Sequence, residues 1–210
     1  TMNDAKKAEW IFFHLHCKTV GYHNDMYPPS AQGQAREVPV QDQVDEYEVI
    51  GPDGYGYPIY ALKQNHKALY GSLISEQDMA KAYDDGNPYV NRDPRFYRDI
   101  IYHGSMFKGK WINTATGADA INAANSTSTG YFTRKYFDGY YTKGMSGNWN
   151  FDAPLIRLAT IYLVYAEAVT RSKGATPEVY NLMNELRARS FMAPIPPAAQ
   201  TNKELLLDYI

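Results

Sequence analysis

His14 and His16, one residue apart, are the pair whose spacing comes closest to a metal site. Residues 10–17 consist mostly of β-forming side chains, so they predict a strand, and strand alternation places both imidazoles on one face. Some zinc hydrolases bind their metal through such a pair, but a third ligand is needed and none is evident nearby. A half-buried histidine pair on a strand is the alternative. The sequence therefore predicts no metal and no cofactor, and a metal-dependent hydrolase is the less favoured interpretation.

Other patterns that could support catalysis are incomplete. Residues 144–148 read Gly-Met-Ser-Gly-Asn, which fails the Gly-x-Ser-x-Gly nucleophile elbow at its last position. Asp84 and Asp85 are adjacent in a turn, a poor arrangement for the paired acids of a glycosidase. The single cysteine, Cys17, can form neither an internal disulfide nor a cysteine-based zinc site. No catalytic residue is predicted, and the protein is not expected to be an enzyme.

The composition excludes one class of partner and points to another kind of surface. The 210 residues carry a net charge of −2 with no basic block, which argues against nucleic-acid binding. They include 19 tyrosines, 8 phenylalanines and 3 tryptophans. Tyrosine suits both cores and ligand-contact surfaces, because it combines a large rigid face with a polar tip. We expect packing roles for most of these aromatics and binding roles for a minority.

The first 150 residues are rich in turns and hold short elements only. Pro39 precedes an acidic stretch that predicts a helix at 40–48. Ser75 is the expected N-cap of a second helix that ends near Tyr83. A polar loop follows at 112–130, and strand character returns at 131–137. These elements predict an irregular lobe in which loops carry the functional side chains.

Helical character begins at Asp152, the expected N-cap of a helix with Pro154 in its first turn and an end near Gly174. Its apolar residues cover nearly the whole circumference, so we expect it to be buried on most sides. The next helix is predicted after Thr176-Pro177 and ends near Ser190. Two helices joined by a glycine turn make a hairpin of tetratricopeptide size.

Charged residues constrain how these helices pack. The longest apolar stretch contains Arg157 and Glu167 and is shorter than the ~20 residues of a membrane span. Glu167 on a buried helix needs a partner, and we expect Arg187 or Arg189 of the next helix. Farther on, the spacing from Thr201 predicts a capping box before a third helix. The predicted fold is mainly α, with a loop-rich lobe at 1–150 that has a few short strands and a helical scaffold at 151–210.

Three stretches carry motifs that can be compared with a known family. Residues 91–96 read Asn-Arg-Asp-Pro-Arg-Phe, and 131–135 fit Tyr-x-x-x-Lys. The third stretch reads Pro-Leu-Ile-Arg-Leu-Ala at 154–159, Tyr-Leu-Val-Tyr-Ala-Glu-Ala at 162–168 and Asn-Glu-Leu-Arg-Ala-Arg at 184–189. In type, order and spacing they resemble the SusD/RagB family of outer-membrane nutrient-binding lipoproteins. Thr160 and Ser190 depart from the residues usual there.

This resemblance implies a SusD-like fold and a role in nutrient capture. A full-length member is more than twice as long, so we expect this chain to be a fragment that lacks the lipid anchor at the N-terminus. The implied function is binding of an oligosaccharide at the cell surface and delivery to a SusC-like TonB-dependent transporter of the outer membrane. A RagB-like protein that captures peptide is the alternative.

Ligand residues of the family vary and lie in loops, so they cannot be carried over by motif. The expected ligand-binding residues are loop aromatics and a neighbouring histidine: Tyr22, His23, Tyr27, Tyr55 and Tyr57, with Trp111 and Trp149 as second choices. Among them, the loop at 22–27 is the preferred binding segment. The motif residues are expected to be structural: Arg92, Asp93, Arg95, Arg157 and Glu167.

Overall fold

The computed structural model describes residues 9–19, 22–62, 70–71, 73–135 and 149–210. The side chains at 14–19, 22–23, 61 and 149–153 are outside the description. The chain divides into two compact units. Unit 1 comprises Thr1–Cys17, Glu48–Pro94 and Asn150–Ile210, and unit 2 comprises Lys18–Tyr47 and Arg95–Trp149. The division at residue 150 into a binding lobe and a scaffold stays a prediction.

Short elements joined by turns precede a helical segment, which confirms the mainly α fold with few short strands. The helices are α1 Tyr22–Met26, α2 Gln41–Asp45, α3 Ile59–Leu62, α4 Glu76–Ala82, α5 Pro94–Asp99, α6 Leu158–Lys173, α7 Pro177–Ala188 and α8 Lys203–Asp208, with 3-10 turns at Pro29–Ala31 and Pro197–Gln200. The strands are β1 Trp10–Thr19, β2 Val49–Ile50, β3 Gly56–Tyr57, β4 Ile100–Ile101, β5 Met106–Phe107, β6 Lys110–Trp111, β7 Phe132–Thr133 and β8 Trp149–Arg157. They pair as β1–β8, β2–β3, β4–β7 and β5–β6.

The helical hairpin of unit 1 is present as predicted from its caps. Helix α6 ends at Gly174, whose φ of +86° suits glycine, and α7 packs against α6. Thr176 caps α7, because its Oγ1 accepts a hydrogen bond from the backbone N–H of Val179. The predicted α4 is also confirmed, with the Ser75 hydroxyl accepting from the N–H of Asp78.

Two helix starts predicted from local patterns were wrong. Residues from Asp152 to Arg157 are extended, because β8 pairs with β1, and α6 begins only at Leu158. A pairing partner that is distant in the sequence overrides a capping pattern that is favourable by itself. Helix α8 is capped by Asn202 rather than Thr201, with Asn202 Oδ1 accepting from the N–H of Leu205 at 3.1 Å. Asparagine caps a helix at least as well as threonine.

The core of unit 1 lies between the helical hairpin, α8 and the strands β2 and β3. Helix α6 contributes Ala166 and Thr170, both fully buried, from its C-terminal half. Its N-terminal half exposes apolar side chains, including Val164 at 60% and Ile161 at 45%. The expectation of burial on most sides was therefore wrong for this half. The contacts of α6 come mainly from α7 and α8, which cover its other end. The buried core residues are Val49, Tyr57, Ile59, Tyr70, Ile74, Ala82, Ala166, Val179, Met183, Ile195, Ala199, Leu205, Leu206 and Tyr209.

Unit 2 has its own small core built mostly from loops. Thr127 is fully buried and fixes the polar loop, because its hydroxyl accepts from the N–H groups of Thr129 and Gly130. The motif stretch that begins at Asn91 is followed by helix α5 and then by strand β4. No helix within the described ranges is long and apolar enough to cross a membrane. The core residues are Met26, Tyr27, Ala35, Ile101, Phe107, Ile112 and Phe132.

Candidate functional site

Strands β5 and β6 form a hairpin in unit 2 that separates its side chains onto two faces. Met106 pairs with Trp111, and Phe107 pairs with Lys110. Phe107 is 1% exposed, whereas Trp111 is 69% and Met106 is 48% exposed. Since successive residues of a strand point to opposite faces, one face of the hairpin anchors it and the other presents an indole beside a thioether.

The anchoring face rests on Tyr27. Its buried ring meets Phe107 edge-on, with the ring centroids 5.0 Å apart. The Lys108 ammonium lies 5.5 Å from the centre of the same ring, and Lys110 Nζ donates to the backbone carbonyl of Ser30 at 2.6 Å. Tyr27 was expected to contact ligand. The structure places it in the core as the support of the hairpin that exposes Trp111.

The base of the hairpin is held by paired backbone groups. Ile112 donates to the carbonyl of Ser105 and accepts from the N–H of Gly104. Below this pair, the N–H of Thr114 donates to His103 Nδ1 at 3.1 Å. A side chain added to Gly104, at a φ of +78°, would meet no atom within 4 Å. The hairpin is therefore well fixed, and the space around Gly104 is open to solvent.

The remaining candidates of the 22–27 segment lie close in sequence to this support. Tyr22 and His23 belong to α1, which leads directly into Tyr27. Their side chains are outside the description, as is that of Trp149. Among the described residues, no ring or cation stacks on Trp111. Trp111 is thus the candidate whose described geometry best suits ligand contact.

Tyr55 and Tyr57 lie in unit 1, on the hairpin formed by β2 and β3. Tyr57 is 1% exposed, and its hydroxyl donates to Asp53 Oδ2 at 2.7 Å. Burial, together with the Asp53 carboxylate, raises the pKa of Tyr57 above its usual range. Tyr55 is half-buried, and its N–H donates to Asp53 Oδ1. The hydroxyl of Tyr57 is therefore committed to organising the turn at Asp53.

A buried ion pair fastens this hairpin to α7. Arg187 Nη1 donates to Glu48 Oε1 at 2.7 Å, Nη2 donates to Oε2, and Nε donates to the carbonyl of Ala193. The guanidinium lies 5.4 Å from the Tyr209 ring, and the Tyr209 hydroxyl donates to the carbonyl of Gly56. Burial lowers the pKa of Arg187, but hydrogen bonding and attraction to Glu48 outweigh this and raise it. The pair is a structural clamp.

The first motif stretch continues this buried region. Arg92 and Asp93 are each 2% exposed. Arg92 Nη1 donates to the carbonyl of Pro88 at 3.0 Å, and the N–H of Asp93 donates to the carbonyl of Glu48. In unit 2, the Arg95 guanidinium lies 5.9 Å from the centre of the Tyr47 ring. These contacts support structural roles for the three motif residues.

The predicted partners of Glu167 were wrong. Glu167 Oε1 accepts from Arg171 Nε at 2.7 Å, one turn along the same helix, and both side chains are largely exposed. Arg187 is taken by Glu48, and Arg189 lies 3.2 Å from Glu9. The error follows from the exposure of Glu167, whose side chain is 48% exposed and therefore needs no partner from another helix. Arg157, half-exposed, also pairs with Glu9, which lowers the pKa of that carboxyl group.

The described residues add little support for the alternative interpretations as a catalytic or metal-binding protein. The side chains of His14 and His16 and the whole of 144–148 are outside the description. Where side chains are described, no group of three or more potential metal-ligating residues occurs. Asp84 is a turn former, because its Oδ1 accepts from the N–H of Gly86.

The sequence interpretation missed the hairpin that presents Trp111. Its signal was present as the dipeptides Met106-Phe107 and Lys110-Trp111 on either side of Lys108-Gly109. The turn was overlooked because asparagine or aspartate usually precedes glycine in a two-residue hairpin turn. The pairing of Met106 with Trp111 was not foreseen for this reason.

Comparison with known proteins identifies the family. The model of the SusD family matches residues 9–210. A solved SusD-like carbohydrate-binding protein from Bacteroides fragilis NCTC 9343 is 20% identical with a TM-score of 0.65, and the match covers 95% of this chain and 37% of that protein. A second solved SusD-like protein from the same strain is 23% identical with a TM-score of 0.62, over 99% of this chain and 40% of that protein.

Both solved structures share the fold of this chain, which spans about two fifths of the length of each. The search of curated proteins gave no significant match. The family match covers almost every residue, including all of the motif stretches from which the resemblance was drawn. The chain belongs to the SusD family.

Proposed function

We propose that this chain binds an oligosaccharide at the cell surface and, as part of a longer lipid-anchored protein, delivers it to a SusC-like TonB-dependent transporter of the outer membrane. Family membership supports this role, and one solved relative is a carbohydrate-binding protein. The proposed role is capture without catalysis. The observation that carries the proposal is Trp111, a tryptophan 69% exposed on a hairpin whose other face is anchored in a core.

The exposed face of the hairpin has the chemistry that a sugar ring requires. Pyranoses present flat patches of C–H groups, which pack against an aromatic face, and tryptophan offers the largest such face. Met106 lies beside the indole and can adapt its shape to the ligand. Binding by a single ring is weak, so further contacts from Tyr22 and His23 in α1 are part of the proposal.

The proposal is tested by isothermal titration calorimetry of the full chain against panels of oligosaccharides and peptides. Trp111→Ala should weaken binding of the preferred oligosaccharide by about tenfold, since loss of one stacked ring costs roughly 0.5–1.5 kcal/mol plus its buried area. Phe191→Ala is the matched control, because Phe191 is an even more exposed aromatic, at 83%, in the other unit. Binding should be unchanged in this control.

Two outcomes would contradict the proposal. If an oligosaccharide binds and Trp111→Ala does not affect it, capture stands but the site lies elsewhere, and Tyr22→Ala becomes the next variant. If peptides bind and no oligosaccharide does, the ligand class is wrong. Turnover of any substrate in the same samples would exclude a purely non-catalytic role.

A further inference from the structure

We infer that unit 2 holds a second sugar-binding position, where Arg134 pairs with the carboxylate of a uronic acid unit and the rings of Tyr97 and Tyr102 pack against the same sugar. The inference rests on the proposed function and adds the chemical class of the ligand. Three features support it: a guanidinium without a carboxylate partner, two half-buried tyrosines beside it, and the positive charge of the surrounding segments.

Arg134 follows strand β7 and is held by carbonyl groups of the backbone. Its N–H donates to the carbonyl of Asp99 at 2.8 Å, and its Nη1 donates to the carbonyl of Tyr97 at 3.2 Å. The carboxylate of Asp99 accepts instead from Arg98 Nε and from the hydroxyl of Tyr47. Within the described part of the chain, Arg134 has no carboxylate partner.

The lack of a carboxylate distinguishes Arg134, since its side chain is half-buried and still charged. A guanidinium has five N–H donors in a planar fork, and the bond to Tyr97 uses one of them. The remaining donors match the two oxygens of a carboxylate, so Arg134 retains an edge for an acidic ligand. Other arginines of the chain pair with Asp or Glu side chains, namely Arg36, Arg98, Arg157, Arg171, Arg187 and Arg189.

Two tyrosines lie beside the guanidinium on a buried support. The ring of Phe96 is fully buried and contacts those of Tyr97 and Tyr102, at centroid distances of 5.3 and 5.0 Å. Tyr97 and Tyr102 themselves are only half-buried. Burial raises the pKa of Tyr102, Tyr97 adds to this rise and attraction to Arg134 opposes it, so the guanidinium acts on the Tyr102 hydroxyl. A uronic acid combines C–H patches that pack against such rings with a carboxylate that reaches the cation.

The segments that form this position are positive in a chain whose net charge is −2. Residues 95–99 and 131–135 contain four cationic residues and one acidic residue. The acidic residue is Asp99, which is 6% exposed and pairs with Arg98. An anionic ligand is therefore attracted to this part of the surface and a cationic ligand is not.

A short stretch of backbone joins this position to the hairpin that exposes Trp111. The N–H of Ser105 donates to the carbonyl of Tyr102 at 3.0 Å, so residues 102–105 form a turn whose ends lie within about 7 Å of each other. Ser105 leads directly into Met106, which pairs with Trp111. This proximity along the backbone supports the binding of one oligosaccharide at both positions.

The test compares oligogalacturonate with its methyl ester, because the two share a sugar backbone and differ in charge. In calorimetry of the full chain at low salt, the acid should bind about tenfold more tightly than the ester, and added salt should reduce the difference. Arg134→Gln should remove this preference. Arg134→Lys should keep only part of it, since an ammonium group has the charge but not the planar fork.

Two controls separate charge from folding. The ester should bind equally well to the wild type and to both Arg134 variants, because it lacks the carboxylate that the guanidinium recognises. Arg171→Gln removes one positive charge from the surface of the other unit and should leave the preference for the acid unchanged.

The outcomes distinguish this inference from the function on which it rests. If acid and ester bind equally well to the wild type and Trp111→Ala weakens both, capture at Trp111 stands and the uronic acid position is overturned. If the acid is preferred and Arg134→Gln keeps that preference, the assignment of Arg134 is overturned. If Arg134→Gln instead abolishes binding of a sulfated galactan oligosaccharide, or of a peptide with a free C-terminal carboxylate, and oligogalacturonate does not bind, the ligand class is wrong. If no oligosaccharide of the wider panel binds, both proposals fail.

Discussion

Two hairpins of this chain differ in whether their aromatic side chains are buried or exposed. In unit 1, the β2–β3 hairpin buries Tyr57 and has an ion pair between Glu48 and Arg187 against its backbone. In unit 2, the β5–β6 hairpin buries Phe107 but exposes Trp111. Both hairpins are anchored by buried side chains. They differ in that only the second hairpin exposes a large aromatic side chain.

The turns of the two hairpins differ in the same sense. The first turn reads Pro52-Asp53-Gly54, with glycine at the left-handed position and the Asp53 carboxylate accepting from Tyr57. The second places Lys108 at a left-handed position. One hairpin satisfies its conformational and hydrogen-bonding requirements, whereas the other retains strain and exposed apolar area. Such departures from local preference are expected at binding sites and not in structural clamps.

Removing the clamp should cause the largest effect on the first hairpin. Arg187→Ala leaves the Glu48 carboxylate buried without its partner, and breaking a buried pair in this way typically costs about 3–5 kcal/mol. We expect the free energy of unfolding, measured with urea, to fall by this amount, or unit 1 to be unfolded in water.

The control for this prediction is an exposed pair. Arg171→Ala removes the partner of Glu167 on the surface of α6, and the free energy of unfolding should change by less than about 0.5 kcal/mol. Equal losses in both variants would show that burial of the Arg187 pair is not what stabilises the hairpin.

A rise to alkaline pH should progressively lower the free energy of unfolding of unit 1, which contains the first hairpin. Burial raises the pKa of Tyr57, Tyr70 and Tyr209, all in unit 1. An unfolded tyrosine titrates at about pH 10, so the folded state favours the neutral hydroxyl and its stabilisation is complete below that pH. Above it, each tyrosine should reduce the free energy of unfolding by up to about 1.4 kcal/mol per pH unit until its folded pKa is reached.

The measurement follows tyrosinate absorbance and urea unfolding together as the pH rises. Tyr57→Phe should reduce the slope of the free energy of unfolding against pH by the contribution of one proton, because phenylalanine does not titrate. If tyrosinate forms with ordinary pKa values while the chain stays folded, these hydroxyl groups are accessible and the description of the buried hairpin is wrong. Tyr102 in unit 2, whose pKa burial also raises, provides a comparison from the other unit.

The sequence predicted the elements that depend on local chemistry. The helix end at Gly174 and the cap at Ser75 were correct, because each depends on one residue and its immediate neighbours. Family motifs also identified the fold, since they mark packing positions. What failed depended on distant contacts. The extended run into α6 is set by pairing of β8 with β1, which no local pattern reveals.

The candidate site was predictable only in part. The prediction that loop aromatics contact ligand stays a prediction, and the exposure of each aromatic depends on the tertiary structure. Tyr27 and Trp111 were both expected to contact ligand, and the structure puts the first beneath the hairpin and the second on its surface. Burial of an aromatic residue in a loop-rich unit depends on partners such as Phe107, which lies about 80 residues away from Tyr27 in the sequence.

The smallest expected effects compare the two turns directly. Gly54 has a φ of +84°, and a Cβ added there would meet no atom within 4 Å, so Gly54→Ala tests conformation without a steric clash. It should lower the free energy of unfolding by about 1 kcal/mol, the usual cost of a side chain in the left-handed region. Lys108→Asn should raise it by roughly 0.5 kcal/mol, because asparagine tolerates that region better than lysine. Opposite signs in the two variants would show that the first turn is optimised for stability and the second is not. If Lys108→Asn instead destabilises the chain, the contact between the Lys108 ammonium group and the Tyr27 ring outweighs the backbone strain of the turn.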